Sequence, residues 1–339
     1  MTAAARRGLG GVLRGLALAP LVLAALGWAC LALWFDGPAS RPLAGVLIGG
    51  LLLAVVASVA LVRPLRRGLV LLGLLWLLVL GWWLGIPAQN DRDWQPDVAR
   101  LPHVTRAGDV VTIHGVRDFA YTSETAFTER WEDRTYDLAD VRGMDMFISY
   151  WGPTLIAHTI MSWELADGRH LAISIETRKE QGETYSALRG FFRQYELYYV
   201  VADERDVVRL RTTYRGEQVF LYRLRATPAR ARATLESYLE EVDRLSRTPR
   251  WYNAFTHNCT TTIRGHVQHA GVHNPWSWRI LANGKGDELL YSRDIINTSL
   301  PFAEVRARSD ITARAKAADR DPAFSERIRE GLLPRPPAG

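Results

Sequence analysis

The chain has 339 residues, 48% of them hydrophobic, and carries a formal net charge of +6 at pH 7. That length admits one ordinary domain plus something extra. The arginines are not gathered in a basic tail. Several flank apolar runs, which excludes a nucleic-acid-binding arm as the source of the charge and points to membrane topology. Two cysteines, Cys30 and Cys259, exclude a scaffold held together by disulfides.

Residues 1–87 are largely apolar. Three runs there reach the roughly 20 apolar residues that a bilayer span requires. They are "GLALAPLVLAALGWACLALWF" (15–35), "LAGVLIGGLLLAVVASVALV" (43–62) and "GLVLLGLLWLLVLGWWLGI" (68–86). The first is long for a signal peptide, and two more follow closely. Residues 1–87 are therefore predicted to be a membrane anchor of three transmembrane helices. Arg6, Arg7 and Arg14 precede the first run, and Arg63, Arg66 and Arg67 separate the second from the third. Positive loops stay cytoplasmic, so residue 88 onward lies outside, with Trp82, Trp83 and Trp94 at the outer interface. In a Gram-negative cell this is a multi-pass inner-membrane protein with its C-terminal domain in the periplasm.

Residues 88–108, polar and proline-marked, read as a linker. Strand-like runs follow at 109–116, 145–151, 157–165, 170–177 and 218–225. "FFRQYELYYVVADERDVVRLRT" (191–212) reads as a helix and then a strand. Residues 227–248 are a helix: Thr227 can cap it, Pro228 suits its first position, and Leu235, Leu239, Val242 and Leu245 form its apolar stripe. Strands first and helices later predict an α+β domain over 109–310, an antiparallel sheet plus helices. A C-terminal tail, 311–339, follows, with its last residues frayed.

"LADGRH" places Asp-Gly between two alternating runs and predicts a hairpin. A two-residue turn pairs residues whose numbers sum to 335. A three-residue loop with Gly168 in the left-handed conformation gives 334. The second register sorts the faces cleanly. His158, Ser162, Glu164, His170, Ser174 and Glu176 share one face, and Met161, Trp163, Leu165, Leu171, Ile173 and Ile175 the other. It sets His158 opposite Glu176, with Cβ atoms about 5 Å apart.

"THNCTTTIRGHVQHAG" (256–271) holds the only cysteine outside the anchor. Asn258 is a good N-cap, Ile263, Val267 and Ala270 keep helical spacing, and Gly271 suits a helix stop. Cys259 then sits at the helix tip, where the dipole favours thiolate. Backbone N–H groups near Asn258 and Thr260 could stabilise an oxyanion. A histidine to take the proton and a carboxylate to orient it would complete an activated nucleophile, and the hairpin offers His158 and Glu176. The plainer reading is a small buried apolar residue. His257, Cys259, His266, His269 and His273 crowd one segment but match no four-ligand zinc spacing. No metal and no cofactor are expected. There is no phosphate loop and no Gly-x-Ser-x-Gly elbow.

The stretches "AHTIMSWELADGRHLAISIETRKEQ", "VFLYRLR" and "RWYNAFTHNCTTTI" resemble the Lnb N-terminal periplasmic domain family, over roughly residues 110–270. "LAISIETR" and "NCTTTI" are the most specific parts. The enzymes for which the family is named transfer an acyl chain from a phospholipid to the N-terminal cysteine amine of a lipoprotein. The resemblance implies Cys259 as nucleophile and His158 as its base. Glu176 falls within "SIETR", while its orienting role comes from the register. Histidine before cysteine also resembles the permuted papain-like enzymes such as lecithin:retinol acyltransferase. The Lnb enzymes carry their spans after this domain, whereas this chain carries them before it.

These readings converge on a membrane-anchored, permuted papain-like thiol acyltransferase, with phospholipid as acyl donor, a lipoprotein as acceptor and no nucleic-acid partner. A cysteine peptidase or amidase acting on cell-wall peptide is the alternative, and a non-catalytic tethered scaffold the third. The topology is directly checkable. Alkaline phosphatase fused after residue 95 is expected to be active; a well-expressed but inactive fusion would place the domain inside.

Overall fold

The structure, a computed structural model, describes residues 3–338, with side chains from residue 19 onward. The chain divides into two units. One is Met1–Ala88 with Ser186–Gln194, the other Gln89–Tyr185 with Tyr195–Gly339.

The first unit contains helices α1 (Ala3–Phe35), α2 (Arg41–Leu61) and α3 (Leu65–Leu84). Helices α2 and α3 are long and apolar enough to cross a bilayer; of α1, Ala19–Phe35 is a shorter apolar helix. The expected first span, 15–35, thus begins among side chains outside the described residues, as do Arg6, Arg7 and Arg14. Leu21, Leu53 and Leu78 are about two-thirds exposed, a surface that suits lipid rather than water. A Cβ on Gly68 would meet the Ser58 carbonyl oxygen at 2.6 Å, so this glycine lets α2 and α3 approach closely. Trp28 packs on Trp76 and Trp83. Asp36, just past α1, accepts from Trp83 Nε1 at 2.6 Å and from Gln194 Nε2 at 2.7 Å. That ties the 186–194 segment to the ends of α1 and α3.

The second unit is a mixed α+β domain built on an eight-stranded sheet. In chain order the strands are β1 (His103–Ala107), β2 (Val110–Arg117), the small paired β3 (Ala120–Tyr121) and β4 (Phe127–Thr128), β5 (Trp131–Asp137), β6 (Val141–Tyr150), β7 (His158–Leu165), β8 (His170–Arg178), β9 (Glu196–Ala202) and β10 (Gln218–Arg223). The sheet order is β1-β2-β9-β8-β7-β6-β10, with β5 also on β2. Neighbours are antiparallel except β2 and β9. Helices are α4 (Glu204–Arg209), α5 (Pro228–Arg247), α6 (Cys259–His269), α7 (Gly286–Ser292), α8 (Phe302–Ser309), α9 (Thr312–Ala317) and α10 (Phe324–Arg327).

Helix α5 forms as its sequence predicts. Thr227 accepts from Arg230 N–H, Pro228 opens the first turn, and the Leu235, Leu239, Val242, Leu245 stripe is buried. It packs on the odd-numbered face of β7: Trp163 is fully buried, stacks edge-on against Tyr238, and donates its indole N–H to the Ala231 carbonyl at 2.9 Å.

Four expectations are corrected. The 191–212 segment is a strand followed by a helix, the reverse of the predicted order. "ELYYVVA" is aromatic and β-branched, and Asp203 then caps α4 by accepting from Arg205 N–H. The 88–108 stretch is no linker: Asn90 bonds the Leu245 and Ser246 carbonyls at the end of α5, and β1 pairs with β2 through a turn at Gly108, φ 64°. Trp94 is not interfacial either. It is 8% exposed, under the Arg178 guanidinium at 4.2 Å.

The fourth correction concerns the expected tail, 311–339, which packs on the second face of the sheet. The sorting of β7 and β8 had a polar face, and that face is covered. Ile311, Ala315, Phe324 and Ile328, from the expected tail, pack against Ile160, Ala172, Tyr198 and Val200. Arg329 joins Glu204, at 2.7 Å, to Asp145, at 2.9 Å, and Ser162 donates to Glu204. Arg335 reaches Glu164 and Asp145. Burial would push the Glu204 carboxyl up, but the Arg329 charge holds it down to about 2.

Asp145 and Glu204 are fully buried. Arg329→Ala leaves Glu204 without its cation and Asp145 with Arg335 as its close partner, and should cost about 3–5 kcal/mol. Urea unfolding of the full chain in detergent measures this. A loss below about 1 kcal/mol would show that the arm is dispensable.

Candidate active site

Two separate pieces of chain bring the chemistry together. The first is the β7–β8 hairpin. Gly168 has φ 83°, and Ile160 pairs with Ser174 and Trp163 with Leu171, so the register sum is 334. His158 and Glu176 therefore face each other. His158 Nε2 lies 3.1 Å from Glu176 Oε1 and 2.7 Å from Ser174 Oγ. Ser174 in turn donates to Glu176 at 2.7 Å.

The second piece is the start of α6. Cys259 is its first residue. Asn258 caps it through a reciprocal box: its side chain accepts from Thr261 N–H at 2.9 Å, and its own N–H donates to the Thr261 hydroxyl at 3.0 Å. A cap of this kind contributes about 1 kcal/mol and holds the first turn in place. The Asn258 amide N–H donates to the Ala254 carbonyl, so Asn258 is committed to the helix tip and not to an oxyanion. The first N–H groups of α6 have no partner within the helix and face the region beyond it.

Cys259 is 7% and His158 9% exposed. Burial pushes the thiol up, but a hydrogen bond and charge from His158, together with Thr159, hold it down to about 6. Burial and the nearby Arg211 charge push the His158 imidazolium down, yet Glu176 and Cys259 bring it up to about 9. Because Nε2 is occupied by Ser174 and Glu176, Nδ1 is the nitrogen left for the sulfur. Burial would raise Glu176, but His158 and Arg211 hold it well below the usual carboxylate range. Thiolate and imidazolium therefore coexist between about pH 6 and about pH 9.

Several residues of this constellation escape sequence reasoning. Arg211 donates to Glu176 at 2.8 Å and to Glu217 at 3.0 Å, and Ser149 donates to Glu217. Arg211 sits in a π-helical turn, Leu210–Tyr214, that continues α4. Such turns are rare and favour functional positions. Asn283 grips the Ala157 backbone with both amide atoms, accepting its N–H at 2.8 Å and donating to its carbonyl at 2.6 Å. Its Nδ2 also lies 3.0 Å from Thr260 Oγ1 and 3.6 Å from Cys259 Sγ. Thr260 thus reaches the site as an acceptor for Asn283. Gly284 beside it allows the close approach of the chains: a Cβ there would meet the Thr154 carbonyl oxygen at 2.2 Å. Among the described residues no group of three or more His, Cys, Asp or Glu side chains could hold a metal ion.

Exposed large apolar side chains of this unit gather on the loops that carry the site. Trp151, Leu155 and Ile156 lead into His158, Phe255 precedes Cys259, and Trp276 and Trp278 precede Asn283. All are more than half exposed, Trp278 most at 60%. Their places in sequence beside the site residues suit a contact surface.

The family model described as the Lnb N-terminal periplasmic domain matches residues 127–284. That range includes Cys259, His158, Glu176 and Asn283. No curated protein and no solved structure matches the chain. With its two long apolar helices, the match fits a membrane protein that has a periplasmic domain.

Iodoacetamide labelling of Cys259 should stay fast from about pH 9 down to about pH 6, where a free thiol of pKa about 8.5 is largely unreactive. Glu176→Gln removes the anion that supports His158 and should move the labelling midpoint up by about one unit. His158→Ala should move it to the free-thiol range or above. Wild-type labelling confined to above pH 8 would contradict the ion pair.

Proposed function

From a chain whose residues 127–284 match the Lnb N-terminal periplasmic domain family, we propose a membrane-anchored thiol acyltransferase that takes its acyl chain from phospholipid. The observation that carries this reading is a helix-tip thiol, held down to about 6 and coupled to an imidazole supported by a carboxylate. That pairing suits a nucleophile and goes beyond what packing a small apolar residue requires.

In the first half-reaction the Cys259 thiolate attacks an ester carbonyl carbon of the phospholipid. The S–C bond forms and the carbonyl π pair moves to oxygen. The first N–H groups of α6, with the Asn283 amide, are suited to stabilise that oxyanion. On collapse the ester C–O bond breaks, and the imidazolium of His158 gives its proton to the departing lysophospholipid oxygen. This leaves an S-acyl thioester and neutral imidazole. In the second half a lipoprotein amine attacks the thioester, His158 accepts the amine proton, and the C–S bond breaks to regenerate the thiolate. Glu176, steadied by Arg211, orients the imidazole and supports its positive charge.

The exposed apolar loops around the site favour lipid over cell-wall peptide as the substrate. In this reading α1 is a third span, the chain lies in the inner membrane, and anchoring raises the effective concentration of lipid at the thiol. The second unit serves as a permuted papain-like catalytic domain.

Intact-mass spectrometry of the full chain after incubation with phospholipid tests the reaction. One added acyl chain is expected on the wild type and none on Cys259→Ser, with the adduct lost to added amine. A reactive Cys259 that gains no acyl chain would sink the acyltransferase and favour the peptidase or amidase.

A further inference from the structure

The segment that carries the thiol is one-sidedly basic. Between Asp243 and Asp287 the sequence has no acidic residue. Three arginines converge there. Arg264, on α6, donates Nε to the Asn274 carbonyl at 2.9 Å, and Arg293, just past α7, donates to the Asn274 side chain and to the Pro275 carbonyl. Arg279, in the turn Trp278–Ile280, has its Nε buried without a hydrogen-bond partner. The next carboxylates along the chain are taken: Asp287 by Arg306, Glu288 by Lys285 and Asp294 by Arg225. Among the described residues no carboxylate pairs with Arg264, Arg279 or Arg293.

Half-buried guanidinium groups without a counter-charge repel each other. Burial pushes Arg293 down, and the Arg264 and Arg279 charges push it further. A fold keeps such an arrangement at a cost unless an anion completes it. Guanidinium donors match the oxygens of phosphate in paired geometry.

We propose that Arg264, Arg279 and Arg293 form a phosphate subsite that holds the phosphodiester of the donor phospholipid while its ester lies at Cys259. Arg264 shares α6 with Cys259, five residues on, about 7.5 Å along the axis and about 140° around it. Asn283, four residues after Arg279, touches the sulfur. In a glycerophospholipid five bonds separate phosphorus from the nearer ester carbonyl carbon, about 6 Å when extended. Trp276 and Trp278, 57% and 60% exposed, immediately precede Arg279 in sequence and have the amphipathic character of side chains at a headgroup boundary. A free phosphate offers the same oxygens but neither an ester to reach the thiol nor acyl chains to meet these rings.

This subsite rests on the acyltransferase reading, so its test separates the two. Calorimetry on full-length Cys259→Ala protein in a maltoside detergent, which carries no phosphate, measures binding without chemistry. The probes are monodisperse dihexanoylphosphatidylglycerol, dihexanoylglycerol, glycerophosphoglycerol and inorganic phosphate. Replacing all three arginines by Gln should weaken dihexanoylphosphatidylglycerol by about tenfold or more and leave dihexanoylglycerol unchanged. Arg279→Gln alone should weaken it several-fold; among the described residues its side chain makes no hydrogen bond, and its guanidinium lies 5.8 Å from the exposed Trp278 ring, so that loss is not a loss of fold. Unchanged phospholipid binding in the variants, or equal weakening of both lipids, would overturn the subsite. So would inorganic phosphate competing as well as glycerophosphoglycerol, which would mark a site for free phosphate. If binding behaves as expected but no acyl chain appears on Cys259 in the wild type, the subsite stands and the transfer reaction falls.

Discussion

One backbone choice governs the site. Gly168 adopts φ 83° and closes a three-residue loop, which sets the register between β7 and β8. Strand side chains alternate, so a slip of one residue would move His158 and Glu176 to opposite faces. It would also expose Met161, Trp163 and Leu165, now buried against α5. The hydrophobic core and the histidine–carboxylate pair are therefore fixed by the same constraint. Core burial of this kind stabilises by about 25 cal/mol per Å² of apolar surface, far more than a single hydrogen bond contributes, so the core enforces the geometry of the site.

Electrostatics determine what that geometry does. A buried thiol beside a buried imidazole would ordinarily remain neutral on both sides. Here Glu176 supplies the negative charge that favours imidazolium, and the imidazolium then favours thiolate. Glu176 itself would be costly to bury alone, and Arg211 pairs with it and with Glu217. The alternation of signs from sulfur to Ser149 distributes the desolvation cost over five charged or polar partners. Arg211 also opposes the His158 charge, so its effect on the ion pair is the balance of two terms.

Much of this was legible from residue types and spacing. Asn258 before Cys259 marked a helix start, and the sorting of two alternating runs about Asp167-Gly168 distinguished one register from another. These signals are local, within about ten residues. What stayed hidden depends on contacts between distant parts of the chain. Arg211 sits in a π turn with no sequence signature, and Asn283 looks like any loop amide until Ala157 is beside it. The polar pattern on β7 left open what covers that face, because alternation does not distinguish water from a buried ion network. Arg329, 184 residues from Asp145, is what makes that face an interior. The exposed indoles were individually visible, but not their gathering around one thiol.

The arm that closes the second face also has a bearing on biogenesis. Arg329 and Arg335 complete a charge network on strands made nearly 200 residues earlier. Contacts at such separation form late, because the chain entropy of closing the loop is lost before any contact repays it. Until the arm arrives, Glu204 lacks its cation, Asp145 and Glu164 share Arg223, and the even-numbered side of β7 is bare. That side carries the imidazole. Folding thus has an order of events: the second face of the sheet closes only after the last helices have formed and docked. A nascent chain that lacks them leaves the even-numbered side of β7 open to whatever it meets first.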